Sequence, residues 1–113
     1  DDGFLDIAIL NLGTPSFLYQ AQCTAARALV VDLDGTPPNT FGMGARIAVE
    51  TDNGTLHRDV SSNAGCGGAM HPRAHFGLGD RRIQSVTVHW LNGEAQEVQV
   101  HPLMDGRIRV AQE

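Results

Sequence analysis

Short apolar runs, each ended by turn residues, recur along the chain and constrain its fold more than any other feature. The turn sequences Asp52-Asn53-Gly54-Thr55 and Asn92-Gly93 are typical of β-hairpins, and Asn-Gly favours a type I′ turn. Residues 16–28 alone could hold a turn or two of helix, but their apolar spacing does not follow the helical period. The pattern predicts an all-β fold, either an antiparallel β-sandwich or a partly closed barrel of about seven short strands. The predicted strands are residues 4–10, 26–33, 45–51, 56–60, 83–91, 95–100 and 107–112.

The charge of the chain argues against several classes of partner. Eight arginines and no lysine oppose thirteen Asp and Glu residues, which gives a formal net charge of −5. Nucleic-acid binders carry clustered basic residues, and no such cluster is visible, so we expect no nucleic-acid partner. No apolar run reaches the about 18 residues that a membrane-spanning helix needs, so we expect no direct membrane insertion.

The stretch His75-Phe76-Gly77-Leu78-Gly79 is too irregular for a helix and too rich in glycine for an ordinary strand. It could form a loop that grips a ligand, or a structural corner that pins two apolar side chains into a core. We expect the corner: Phe76 and Leu78 fill the core, while Gly77 and Gly79 allow a positive φ or a close backbone approach. His75 is then expected to hydrogen-bond to neighbouring backbone.

Three groups of residues together resemble a known family, the ASPIC/UnbV domain. This domain occurs C-terminal to FG-GAP/VCBS (integrin-like) repeats, as in cartilage acidic protein-like secreted proteins. Leu91 stands where the family usually has proline, and Cys66 lies in a loop where the family often has an aromatic residue. The matching positions are Asn39 with Gly42-Met43-Gly44-Ala45-Arg46, the segment His75 to Gly79, and Val86-Thr87-Val88-His89-Trp90-Leu91-Asn92-Gly93 with Gln96.

The first residues resemble the end of an FG-GAP calcium loop. Asp2, Gly3 and Asp6 match the last fixed positions of that loop, whose other aspartates would precede residue 1. The resemblance implies that residues 1–19 are the tail of an FG-GAP/VCBS propeller repeat and that residues 20–113 are the ASPIC/UnbV-like domain. Asp2 and Asp6 would then belong to a calcium site of the parent propeller. They would form only part of that site, because a calcium ion needs six or more oxygen ligands. No cofactor is expected in residues 20–113.

The two cysteines, Cys23 and Cys66, leave two interpretations open. In an exported protein they could form a disulfide that contributes roughly 4 kcal/mol on the chain-entropy model. In a cytosolic protein they would be two buried thiols. We favour the disulfide.

Soft metal-binding and nucleophilic residues are concentrated around Cys66. Cys66, Met70, His71 and His75 could bind copper or zinc, but their spacing matches no established ligand pattern. Cys66 with a nearby histidine could also act as a nucleophile, although no oxyanion element is evident. We therefore expect no enzyme activity.

The sequence and the resemblance together predict a non-catalytic module for protein–protein contact or assembly. The resemblance places it outside the cell, at the cell surface or in the periplasm, as the C-terminal part of a larger propeller protein. One alternative is a module that binds carbohydrate or a cell-surface polymer, with Trp90 as the possible ligand contact. Trp90 shares a strand face with Val86 and Val88, which favours a core position instead. The other alternative is a metal or redox subunit that uses Cys66, Met70, His71 and His75.

Overall fold

A computed structural model describes residues 4–22, 25–63 and 65–113, and these residues form nine strands and no helix. The prediction of an all-β fold is confirmed. Within the described ranges, no helix is long and apolar enough to cross a membrane. The strands are β1 (Ile7–Ile9), β2 (Phe17–Tyr19), β3 (Arg27–Asp34), β4 (Arg46–Thr51), β5 (Gly54–Asp59), β6 (Ala74–Gly79), β7 (Ile83–His89), β8 (Ala95–Val98) and β9 (Gly106–Ala111).

Seven of these strands form a β-sandwich, and none of the sheets closes into a barrel. One sheet has three strands in the order β6-β3-β9, and the other has four in the order β5-β4-β7-β8. Both sheets contribute to one hydrophobic core because apolar and other residues alternate along their strands. In β3, for example, Leu29, Val31 and Leu33 are buried in the core while Val30 and Asp32 point to the opposite face.

One strand pair departs from the antiparallel arrangement that the sequence predicts. β3 and β9 run parallel, with Val30 beside Arg107 and Asp32 beside Arg109. A parallel pair cannot be joined by a tight hairpin, and here most of the domain lies between the two strands in sequence. Local turn signals therefore gave no indication of this pair.

The turn between β7 and β8 also differs from the expected type I′ turn. Trp90 N–H donates to Glu94 O at 2.8 Å and Gly93 N–H donates to Trp90 O at 3.0 Å, so three residues form the loop. Gly93 has a φ of +91°, and no described residue other than glycine has a positive φ. A type I′ turn needs positive φ at both central residues, whereas this three-residue loop needs it at one.

The segment His75 to Gly79 lies within β6 and pairs with β3, so it forms a strand rather than a corner. The register shifts where Arg27 and Ala28 face Gly79 and Gly77, and a turn follows, in which Arg81 N–H donates to Leu78 O at 3.1 Å. The expected burial of Phe76 and Leu78 is confirmed. Backbone hydrogen bonds to β3 hold the segment extended despite its glycines.

Candidate functional site: an exposed apolar hairpin

The hairpin formed by β1 and β2, together with the residues that flank and join its strands, carries most of the exposed large apolar side chains among the described residues. The two strands form a sheet of their own, separate from both sheets of the sandwich. Large apolar side chains are exposed at thirteen described positions, and eight of these lie between residues 5 and 19. A concentration of exposed apolar side chains is typical of a surface that other molecules cover. The eight are Leu5, Ile7, Ile9, Leu10, Leu12, Phe17, Leu18 and Tyr19.

The register of the hairpin divides these side chains between its two faces. Ile7 pairs with Tyr19 and Ile9 with Phe17, so these four side chains share one face. The rings of Phe17 and Tyr19 stack with their centroids 6.3 Å apart. Leu18 lies on the opposite face and is also exposed. A soluble hairpin would normally expose one polar face, and this one exposes apolar groups on both.

Asp6, one of the two residues predicted to belong to a calcium loop, lies next to this hairpin. Asp6 directly precedes β1, and its Oδ1 accepts a hydrogen bond of 2.9 Å from the backbone N–H of Ala21. Asp2 lies outside the described residues, so the predicted pair of ligands stays a prediction. The described residues contain no group of three or more His, Cys, Asp or Glu that could hold a metal ion.

Trp90 lies in the core of the sandwich. Its side chain is 5 % exposed, and its Nε1 donates a 3.0 Å hydrogen bond to Gln96 Oε1. A cavity of about 320 Å³ touches Trp90, and the side chains that line it include Asn39 and Gln112. Asn39 Nδ2 donates to Met43 O at 2.8 Å, and Gln112 Oε1 accepts from Thr36 Oγ1 at 3.1 Å. Trp90 therefore exposes almost none of its ring to solvent, which agrees with the core position that its strand face favours.

The four residues considered as soft-metal ligands do not all line one cavity. Cys66 is exposed, and its predicted disulfide partner Cys23 lies outside the described residues, so that disulfide stays a prediction. The His71 ring packs edge-on against Phe41, with the centroids 5.7 Å apart. Met70 and His75 line one common cavity on the outer face of the three-stranded sheet.

Two clusters of charged side chains were not predicted from the sequence. On the four-stranded sheet, Arg46 Nε donates to Asp59 Oδ1 at 2.8 Å; this hydrogen bond lowers the pKa of Asp59 and raises the pKa of Arg46. On the three-stranded sheet, the buried Asp32 lies between Arg73 and Arg107. Asp32 was visible as a polar residue in an apolar strand, but its partners are distant in sequence.

The structure thus defines a class of protein: a seven-stranded β-sandwich module with an appended apolar hairpin. Residues 35–112, more than half of the chain, match the family described as ASPIC and UnbV. The chain belongs to the ASPIC and UnbV family, and the resemblance found in its sequence is confirmed. No curated protein matches the chain. Membership of this family suggests an extracellular-type module.

Proposed function

We propose that this chain is a non-catalytic module for protein–protein contact or assembly and that the β1–β2 hairpin is its contact element. The observation that carries the proposal is the exposure of apolar side chains on both faces of the hairpin. A two-stranded hairpin is marginally stable in water by itself, so further protein packed on it would stabilise it. Its outer strand edges also offer unpaired backbone groups to another strand.

The occupant that fits this surface is a β-rich protein unit with an apolar face. The exposed groups are aliphatic and aromatic, and aromatic residues such as Phe17 and Tyr19 are enriched at protein interfaces. The similarity of residues 1–19 to an FG-GAP/VCBS repeat supports the view that this chain is the C-terminal part of a larger propeller protein, and it supports an extracellular, cell-surface or periplasmic location. In this proposal calcium belongs to the propeller loop that includes Asp2 and Asp6, and neither nucleic acid nor direct membrane insertion is involved.

The test is native mass spectrometry of the protein purified gently from its source, with and without a charge placed in the hairpin. We expect a defined assembly, which Phe17→Glu disrupts because a carboxylate cannot be buried without a partner. Leu91→Glu is the matched control, since Leu91 is an exposed apolar residue in the β7–β8 loop. A monomer in the unaltered protein, or an assembly that survives Phe17→Glu, would contradict the proposal.

A further inference from the structure

The β4–β5 hairpin contains the only Asn-X-Ser/Thr sequence of the chain. Asn53-Gly54-Thr55 has this form, and its middle residue is glycine rather than proline. Each of the other four asparagines has a residue without a hydroxyl group two positions later. In exported proteins this sequence is an acceptor for N-linked glycans, and it lies on exposed loops and turns.

Asn53 lies at the tip of this hairpin, where the chain turns from β4 to β5. Thr51 pairs with Gly54, so Asp52 and Asn53 form the turn between the two strands. Asn53, Gly54 and Thr55 are all exposed. A Cβ built on Gly54 would meet nothing within 4 Å, so open space surrounds the middle of the motif. A bulky group attached at this tip would extend into solvent.

The turn does not depend on the side chain of Asn53. Thr51 Oγ1 donates to Gly54 O at 2.6 Å and accepts from the backbone N–H of Asn53 at 3.3 Å. Asp52 holds the turn against the loop between β6 and β7. Its N–H donates to Arg82 O at 3.1 Å, and its Oδ1 accepts from Arg82 N–H at 3.0 Å. A sugar on Asn53 Nδ2 would break none of these hydrogen bonds.

The side-chain amide of Asn53 differs from those of the other asparagines. Asn92, in the second Asn-Gly turn, is the direct comparison: its Nδ2 donates to Glu94 Oε2 at 2.6 Å and its Oδ1 accepts from Glu94 N–H at 3.1 Å. The side-chain amide of Asn53 has no hydrogen-bond partner among the residues that the structure describes, since the bond to Thr51 uses its backbone. The remaining asparagines hydrogen-bond through their side chains to backbone groups; they are Asn11, Asn39 and Asn63.

The surface beside the tip is polar. A cavity of about 230 Å³ opens next to Asn53, and the other residues that line it are Asp52, Asp80 and Arg81. Carboxylate and guanidinium groups such as these accept from and donate to sugar hydroxyls. None of the exposed large apolar side chains belongs to β4, to β5 or to the turn between them. A glycan attached here would therefore lie on polar surface.

We propose that Asn53 is the acceptor of an N-linked glycan in the exported chain. In the transfer, Asn53 Nδ2 forms a bond to the anomeric carbon of an oligosaccharide and loses one proton. The bond from that carbon to a lipid diphosphate donor breaks, and the lipid diphosphate leaves with the electron pair. An oligosaccharyltransferase catalyses this step and recognises the Thr55 hydroxyl. The proposal rests on the extracellular location proposed above, because the transfer takes place on the export route.

The test is secretion of the full 113-residue chain, behind a cleavable signal peptide, by a eukaryotic cell line that contains an oligosaccharyltransferase. We expect an intact mass that exceeds the mass of the chain by one glycan. Peptide N-glycosidase should remove this excess and convert Asn53 to aspartate, which peptide mass spectrometry detects. The signal peptide imposes export, so a negative result concerns Asn53 and not the natural location or assembly of the protein. An unmodified Asn53 in the secreted chain would overturn the proposal.

Two variants at Thr55 test whether the motif is the cause. Thr55→Ala removes the hydroxyl group and should abolish the glycan, whereas Thr55→Ser keeps a hydroxyl group and should retain it. Asn92 is the internal control, because it lies in an Asn-Gly turn followed by Glu94 and should stay unmodified. A glycan that persists in Thr55→Ala would overturn the assignment to this motif.

Melting curves test whether the folded tip accommodates the glycan. The glycosylated chain should melt at a temperature no lower than the same chain after treatment with peptide N-glycosidase, because the Asn53 side chain holds no part of the turn. A lower melting temperature with the glycan attached would show that the tip is not an open acceptor site.

Discussion

At the scale of single residues, the loop between β3 and β4 depends on a glycine that no other residue can replace without strain. Gly42 has a φ of +61°, and a Cβ built on it would lie 2.7 Å from Leu33 Cδ1 and 3.1 Å from Trp90 Cζ3. Both neighbours belong to the core cluster and cannot move away cheaply. The conformation and the contact therefore both require glycine.

We predict that Gly42→Ala lowers the free energy of unfolding by about 2–4 kcal/mol, through backbone strain together with overpacking. Gly93→Ala is the control, since Gly93 has a φ of +91° but open space around its Cα. This control should cost only about 1 kcal/mol, the strain alone. Urea denaturation measures both values, and equal losses would mean that the contact with Leu33 and Trp90 is unimportant.

The exposed pair of Arg46 and Asp59 makes a prediction about pH. The hydrogen bond from Arg46 lowers the pKa of Asp59 in the folded chain. A carboxyl group with a lowered folded pKa contributes stability above its unfolded pKa of about 3.9 and loses that contribution as the pH falls through the folded value. Acid therefore weakens this contact.

We expect Arg46→Gln to raise the pKa of Asp59 towards its ordinary value, as measured by NMR titration of the Asp59 carboxyl carbon. Arg58→Gln serves as the control, because Arg58 donates its hydrogen bond to His57 O rather than to Asp59. If Arg58→Gln moved the pKa of Asp59 as far as Arg46→Gln, the shift would reflect general charge and not the hydrogen bond.

At the scale of elements, the β1–β2 hairpin and the sandwich differ in how many buried apolar residues stabilise them. No residue of β1 or β2 belongs to the buried core cluster, whereas β3, β4 and β7 each contribute at least two. Stability within a protein follows such differences in buried apolar contact. The hairpin should consequently open far more often than the sandwich.

Hydrogen exchange followed by NMR measures this difference. We predict that the amides of Ile7 and Ile9 exchange at least about a hundredfold faster than those of Ile47 and Val49 in β4, allowing for intrinsic rates. A bound partner should slow the hairpin amides alone. Equal protection of β1 and β4 without a partner would contradict the view that the hairpin lacks a cover.

The elements also show how far the sequence could predict the fold. The strands around Val31, Ile47 and Val88 follow from alternating apolar residues, and their burial was predictable. β6 was not predicted as a strand because Gly77 lowers the local strand propensity. The segment is nevertheless a strand because it pairs with β3, which is distant in sequence.

The candidate site was less predictable than the fold. The apolar residues around Phe17 are visible in the sequence. Whether their side chains are exposed depends on whether another part of the protein packs against them. The approach of Arg73 to Asp32 likewise arises only when β6 lies beside β3. The exposure of the hairpin and the contact of Arg73 with Asp32 both depend on how segments distant in sequence pack. A single sequence carries no direct signal for that packing.

At the scale of the whole molecule, the core is contained within the C-terminal part of the chain. Every residue of the core cluster lies between Leu29 and Val110. A domain that holds its own core can fold without its neighbours. The predicted division at residue 20 can therefore be tested by removing residues 1–19.

We predict that the chain of residues 20–113 folds, with a melting temperature within about 5 °C of the full chain, because the removed residues contribute nothing to the core cluster. It should also remain monomeric at concentrations where the full chain associates, since the exposed hairpin is gone. Circular dichroism follows the first outcome, and light scattering follows the second. An unfolded product would show that the hairpin stabilises the sandwich, and undiminished association would move the contact surface away from the hairpin.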